Sequence, residues 1–234
     1  MAGRIHDDVT RDLGTRIVAG EIAPGAVFTL AQLENDYGAS RTIARDAVQV
    51  LESLGLVASR RRVGITVQPR DSWDAFAPRV IEWNLQGPFR QQQLEALMEL
   101  RVAVEPTAAR LAALRATPAQ RAELRRLAGR LRALGSEGNG ASDDFLEADV
   151  AFHDLLLQAS GNPQLIALRA PVREVLTGRT RLGLTPPVPA AGTLEEHESV
   201  AAAVSAGRGE EAEAHSRSHM LSVWSEVQSD DSLA

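Results

Sequence analysis

From Ser72 to near the C-terminus of this 234-residue chain, apolar residues recur at helical spacing with no convincing strand pattern between them. That confines the second two-thirds of the molecule to an all-helical bundle, because amphipathic helices with no sheet to cover must bury their stripes against one another. Seven helices are expected, over 73–86, 91–115, 118–134, 143–160, 163–181, 193–206 and 210–228. Their ends carry clear punctuation: Gly87-Pro88, Thr117-Pro118 with proline in the first helical position, Gly161-Asn162 and Gly207-Arg208-Gly209. Pro171 falls inside the fifth of them and predicts a kink there.

The first seventy residues read differently. Val9, Leu13, Ile17 and Val18 form one helical stripe, ended by Gly20 and Pro24-Gly25. Thr29 is placed to cap a second helix bearing Leu30, Leu33 and Tyr37, which Gly38 closes. Ser40 caps a third, with Ile43, Ala47, Val48, Leu51 and Leu54 inward and Gly55 at its end. Two short β-prone runs, 56–59 and 64–67, are joined by Arg60-Arg61-Arg62, the pattern of a hairpin. The expected division is therefore residues 1–70, three helices and a small β hairpin, followed by an all-α domain over 71–234.

A short helix, a tight turn and a second helix opening with Ser40-Arg41 is how a recognition helix is set into the major groove of DNA. Arg41 and Arg45 lie four residues apart and share the outward face, with the Thr42 hydroxyl beside them. Guanidinium suits bidentate contact with guanine and equally with phosphate. The Arg60–Arg62 tip, with Gly64, then reads as a wing reaching the backbone or the minor groove. The competing reading is a small helical subdomain whose arginines are merely solvated.

Composition bears on that choice. The formal charge of the whole chain is -6, which argues against a nucleic-acid partner. Residues 1–70, however, hold nine Arg against eight acids, while 71–234 hold sixteen against twenty-three. The basic residues are all arginine, and between Ser40 and Arg70 they outnumber acids six to two. A small basic patch is thus attached to an acidic body. Cysteine is absent, which excludes disulfides, thiolate metal sites and cysteine nucleophiles. The longest uncharged stretch is fourteen residues, short of the roughly 20 needed to span a bilayer, and the N-terminus lacks the apolar core of a signal peptide, so a cytoplasmic protein with no membrane partner is expected.

Taken together, Gly20-x3-Pro24-Gly25, Leu30-x2-Leu33, Ser40-Arg41-x3-Arg45-Asp46-Ala47, Leu51-Glu52-x-Leu54-Gly55-Leu56-Val57 and Arg62-x-Gly64-x2-Val67 resemble the winged helix-turn-helix of the GntR family of bacterial transcription regulators. The helical remainder resembles the effector-binding domain of its FadR branch. The resemblance covers nearly the whole chain and implies a homodimer on double-stranded operator DNA, probed by Ser40, Arg41, Thr42, Arg45, Arg62 and Gly64. Many members carry an arginine early in the second helix where this chain has Ala31, which implies a different operator preference.

A second constellation lies in the helical domain. Asp149 and His153 share one helical face, and His197 and His219 sit on later helices. Imidazole and carboxylate together suit zinc, nickel, manganese or iron, and a bundle core is where helices assemble such ligands. For any single histidine, a satisfied core or surface imidazole is the simpler reading. The resemblance implies more: metal-binding members of the branch carry an Asp-x3-His pair followed by two later histidines, so Asp149, His153, His197 and His219 become the ligand set, with zinc first among the metals. His215, one turn before His219, is the alternative fourth ligand.

Arg101 lies at the edge of the buried stripe of its helix, where it needs either Glu105 or a carboxylate ligand as partner. The resemblance implies the second, an effector carboxylate beside the metal, with Asn162 orienting a histidine or the ligand. The stretch Trp73-x7-Ile81-x-Trp83-x-Leu85 is most similar to the sugar-acid sensors of the branch, those responding to galactonate or related hexonates. The expected function is a repressor, not an enzyme, whose operator affinity is set by a small carboxylate. The rivals are a metalloenzyme with Glu196 or Glu198 as base, fused to a DNA-binding anchor, and a purely structural metal in a dimerisation domain.

Overall fold

The computed structural model describes residues 2–189 and 192–229, with side chains between 7 and 225. It separates into two compact units, residues 1–90 and 91–234.

The first unit contains α1 (Ala2–Val18), β1 (Val27–Phe28), α2 (Leu30–Tyr37), α3 (Arg41–Ser53), β2 (Val57–Arg60), β3 (Gly64–Val67) and α4 (Pro78–Gln86). The local signals explain the ends. Thr29 and Gln32 form a reciprocal capping box on α2, and Gly38 closes it in the left-handed conformation at φ 58°. Val9, Leu13, Ile17, Leu33, Ala44, Ala47, Val48 and Leu51 meet in one core. The three strands are antiparallel in the order β1-β3-β2, with Arg60 opposite Gly64 at the mouth of the turn. The expected hairpin is β2–β3; β1 adds an edge strand of two residues, too short to show any period in the sequence.

Two expectations are corrected here. The helix expected over 73–86 begins only at Pro78, whose ring suits a first helical position. Trp73 lies ahead of it, its indole N–H donating to the Gln68 carbonyl at 3.1 Å, and Phe76 is exposed. The boundary expected after Arg70 falls instead at Arg90, because Val80 and Trp83 of α4 join the core of the first unit. Gly14 on α1 makes room for that indole: a Cβ there would sit 2.4 Å from the Trp83 ring.

The second unit comprises α5 (Arg90–Arg115), α6 (Pro118–Ser136), α7 (Asp143–Ala159), α8 (Pro163–Ala167), α9 (Arg169–Arg181), α10 (Thr193–Ala206) and α11 (Gly209–Ser229). Helix α10 packs on α6 and α11, and α7 on α6 and α9, around a core that includes Leu124, Leu131, Phe152, Leu156 and Val204. The helix expected over 163–181 is interrupted rather than kinked. It breaks at Leu168, so Pro171 falls in the first turn of α9, where its missing N–H costs no hydrogen bond.

Candidate nucleic-acid interface and candidate metal centre

Ser40 Oγ accepts the Ile43 N–H at 3.3 Å and starts α3 at Arg41. Burial of Ala44, Ala47, Val48 and Leu51 then fixes the rotation of the helix and leaves Arg41, Thr42 and Arg45 exposed. Glu52 of α3 accepts the Ser59 N–H of β2 at 2.6 Å, tying the wing to this helix. Between them lies a cleft of about 630 Å³ lined by Arg41, Arg45 and Gln49 of α3, Ala31 of α2, and Arg60, Arg61, Arg62 and Gly64 of the wing. None of the five guanidiniums in that cleft has an ion-pair partner among the described residues. Five convergent cations with no internal counter-charge make a surface suited to a polyanion.

The wing shows why two of its residues are what they are. Gly64 has φ 116°, and a Cβ there would lie 2.8 Å from the Phe28 carbonyl oxygen, so glycine is what lets β1 approach β3. Arg62 is the one non-glycine among the described residues with a positive φ, at 66°. Holding a long side chain in that region costs roughly 1–2 kcal/mol.

In the second unit, α7 supplies Asp149 and His153, α10 supplies His197, and α11 supplies His219. All three imidazoles are buried, and one nitrogen from each lies within 4.8 Å of the others. The His197 and His219 rings are 4.1 Å apart centre to centre, and His153 stacks on His219 at 5.6 Å. Asp149 Oδ1 is 3.3 Å from both His153 Nε2 and His197 Nε2. The sequence-predicted quartet is thus brought together. His215 is elsewhere, 2.8 Å from Glu196 and partly exposed, so His219 is the histidine that joins the cluster.

Orientation of the rings comes from their other nitrogens. His197 Nδ1 donates to the Thr193 carbonyl at 2.9 Å, which leaves Nε2 with its lone pair. His153 Nδ1 donates at 2.5 Å to Glu105 of α5, whose other oxygen accepts from Arg101 Nε, also at 2.5 Å. Glu105 is fully buried, and burial alone would raise its pKa. The Arg101 charge, and then that of His153, outweighs burial and holds it at about 2. Burial lowers the His153 pKa, but Glu105 and the hydrogen bond with Asp149 carry it up to about 9. Burial also pushes His219 well below the ordinary histidine value, with His197 and His153 adding to it.

The donor set fits a divalent transition metal. His197 Nε2, though 3.3 Å from Asp149 Oδ1, and His219 Nδ1 are buried and make no hydrogen bond among the described residues, and imidazoles beside a carboxylate are what zinc, nickel, manganese and iron accept. Beside the cluster is a cavity of about 30 Å³ whose walls include Arg101, Asp149, Arg179, Thr193, His197 and His219. Asn162 is not among its lining residues; its side chain caps α8 by accepting the Gln164 N–H at 3.0 Å. Glu105 was one of the two partners expected for Arg101, and the structure pairs them; its second contact, with His153, had no signal in the sequence. Thr193 gave no signal at all.

The model of the FCD domain matches residues 96–222, and that of the bacterial regulatory proteins of the gntR family matches residues 5–67. The Galactonate operon transcriptional repressor of Escherichia coli is 32% identical over 212 residues, 88% of this chain and 90% of that protein. The chain belongs to the GntR family. It is a GntR-type transcription regulator carrying an FCD domain, and its relatives are regulators rather than enzymes, which sets the metalloenzyme rival aside. The HTH-type transcriptional regulator LutR of Bacillus subtilis is 30% identical over 87% of this chain and 92% of its own length. Among solved structures, Lar, described as controlling expression of the Listeria monocytogenes agr system, superposes with a TM-score of 0.58 at 16% identity, covering 95% of this chain and 96% of that one. Escherichia coli McbR/YncC gives 0.53 at 20% identity, covering 96% and 97%. These two likenesses speak for the fold. No helix among the described residues is long and apolar enough to cross a membrane.

Proposed function

We propose that this GntR regulator is a repressor that binds a palindromic operator as a homodimer and is released from it by a small organic acid bound beside a metal ion. The observation that carries the reading is a cluster of three buried imidazoles, two of which, His197 and His219, line one cavity together with the Asp149 carboxylate and the Arg101 guanidinium. Asp149, His153, His197 and His219 would hold the metal, with zinc the first candidate. When bound, the ion supplies a fixed positive charge with coordination positions open to an anion. Arg101 then serves as a second cationic anchor, its Nη1 buried without a hydrogen bond while Nε stays on Glu105. A sugar acid such as galactonate suits that pair of cations, and the name of the Escherichia coli relative points the same way.

In the other unit, Arg41 and Arg45 read base edges or phosphates in the major groove while Thr42, Arg62 and the capping Ser40 meet the backbone. The cavity has room for about two waters, so an acid enters only by displacing a wall. The wall not made of helix is the stretch 182–189, which contributes Thr185, Pro186 and Pro189. Coupling to DNA follows if the displaced and undisplaced forms differ in operator affinity.

The test is a thermal-shift series of C4 to C6 acids and aldonates on the purified protein, with and without chelator, followed by gel shifts with the acids that bind. Chelator is expected to lower the melting temperature and to abolish the stabilisation by acid. An acid that stabilises the chelated protein equally well contradicts the metal's part in the reading.

A further inference from the structure

Several of the buried side-chain atoms without a hydrogen bond gather around a single place. Arg101 Nη1, Thr193 Oγ1, His197 Nε2 and His219 Nδ1 all belong to residues lining the cavity of the second unit. Buried polar atoms are almost always paired, so a cluster of unpaired ones facing a cavity describes the guest the cavity is built for. The two imidazole nitrogens answer to a metal, and the guanidinium N–H answers to a carboxylate. That allocation rests on the reading given under Proposed function, and it leaves the hydroxyl of Thr193 unassigned.

A hydroxyl both donates and accepts, whereas a carboxylate only accepts and a methylene does neither. The neutral Thr193 oxygen would be matched as both donor and acceptor by an alcohol on the guest, whereas a carboxylate would take only its proton. Its position is well fixed. Thr193 is the first residue of α10 and is buried, and its own carbonyl takes the His197 Nδ1 proton at 2.9 Å. One residue on the cavity wall thus holds a candidate metal ligand in its tautomer with the main chain and carries, on its side chain, a buried hydroxyl without a hydrogen bond among the described residues.

We infer that Thr193 is a specificity-determining residue of the effector site and that the effector class is hydroxy-carboxylates rather than plain carboxylates. The alcohol of such an acid completes the Thr193 hydroxyl, while the deoxy acid leaves it buried and unpaired. Discrimination of about tenfold or more follows from a single neutral hydrogen bond gained against a buried group left without one.

The experiment uses the zinc-loaded full-length protein and isothermal titration with matched probes: galactonate against its 2-deoxy and 3-deoxy forms, and lactate against propionate. The wild type is expected to favour at least one hydroxylated member by about tenfold, and Thr193→Val to bring that ratio close to one by weakening the hydroxy acid alone. Thr193→Ser is expected to keep the preference. Valine copies the shape and leaves the carbonyl on His197, so zinc content should hold and the melting temperature should stay level or rise, as it does when an unsatisfied hydroxyl is removed. A preference that survives unchanged in Thr193→Val overturns the assignment. A wild type that binds none of these acids overturns the effector reading itself, and this inference with it.

Discussion

Arg45 on α3 and Arg101 on α5 each stand one helical turn from a charged neighbour, Arg45 four residues after Arg41 and Arg101 four residues before Glu105. The first is exposed and has no ion-pair partner among the described residues; the second is 1% exposed and locked to a carboxylate. In one unit arginine is left uncompensated for an external anion to neutralise, and in the other it is neutralised from within, with one N–H held back. Summing charge over the chain hides this. The overall -6 averages a basic cleft with an acidic body and describes neither.

The same substitution should therefore do opposite things in the two units. Arg45→Ala should weaken operator binding by about a hundredfold or more at fixed salt, since a base or phosphate contact is lost in each half-site. Its unfolding free energy should move by no more than about 0.5 kcal/mol. Fluorescence anisotropy and urea denaturation on one preparation measure both. Unchanged affinity would remove α3 from the recognition surface.

Arg101→Ala should invert that result. It strands Glu105 in the core without its main counter-charge, and breaking a buried pair from one side costs about 3–5 kcal/mol. Urea denaturation should show that loss directly. A change as small as that of Arg45→Ala would mean that His153 alone neutralises Glu105.

Glu105→Gln comes next in size. The carboxylate behind a ligating imidazole fixes its tautomer and raises its basicity, and losing such a partner weakens metal binding about 10–100-fold. Competition with a chromophoric chelator gives the number. Because the change also unbalances Arg101, the double variant Arg101→Gln/Glu105→Gln should show the same metal defect without the buried charge. Equal zinc affinity in wild type and double variant would confine Glu105 to a structural role.

These contrasts also explain what the sequence could and could not disclose. The α2–α3 pair and the wing are local structures, and Thr29, Gly38, Ser40 and Gly64 mark them within a few residues. The allegiance of α4 to the first unit depends on Trp83 meeting Gly14, a contact across almost seventy residues that no periodicity reveals. The break at Leu168 was half visible, since Pro171 announced a disturbance but not that the chain would restart a helix around it. In the second unit Asp149 and His153 share a face by spacing, whereas the convergence of His197 and His219 on them depends on how α10 and α11 pack. The residues themselves offered those histidines as candidates, and only the family resemblance made them the ligand set. Glu105 was legible as a partner of Arg101 but not of His153, and Thr193 stayed out of view, because burial against a histidine and an unpaired hydroxyl exist only in three dimensions.

The smallest expected effect lies at Arg62, where the two uses of arginine meet in one residue. Its positive φ is a local cost borne by a side chain with no ion-pair partner among the described residues. Glycine adopts this conformation freely, which relieves roughly 1–2 kcal/mol, but glycine also loses about 0.5–1 kcal/mol more backbone entropy on folding. Arg62→Gly should therefore stabilise the first unit by about 0.5 kcal/mol while weakening DNA binding. If the lost contact is to phosphate, the decrease is uniform across operator sequences, and the slope of log affinity against log salt becomes shallower by about 0.9 per contact, or about 1.8 for a dimer. A loss confined to particular base pairs, with the salt slope unchanged, would instead make Arg62 a reader of base edges. A variant less stable than the wild type and equal in affinity would mean that the arginine is kept for the turn, and the contrast with Arg101 would then hold for α3 alone.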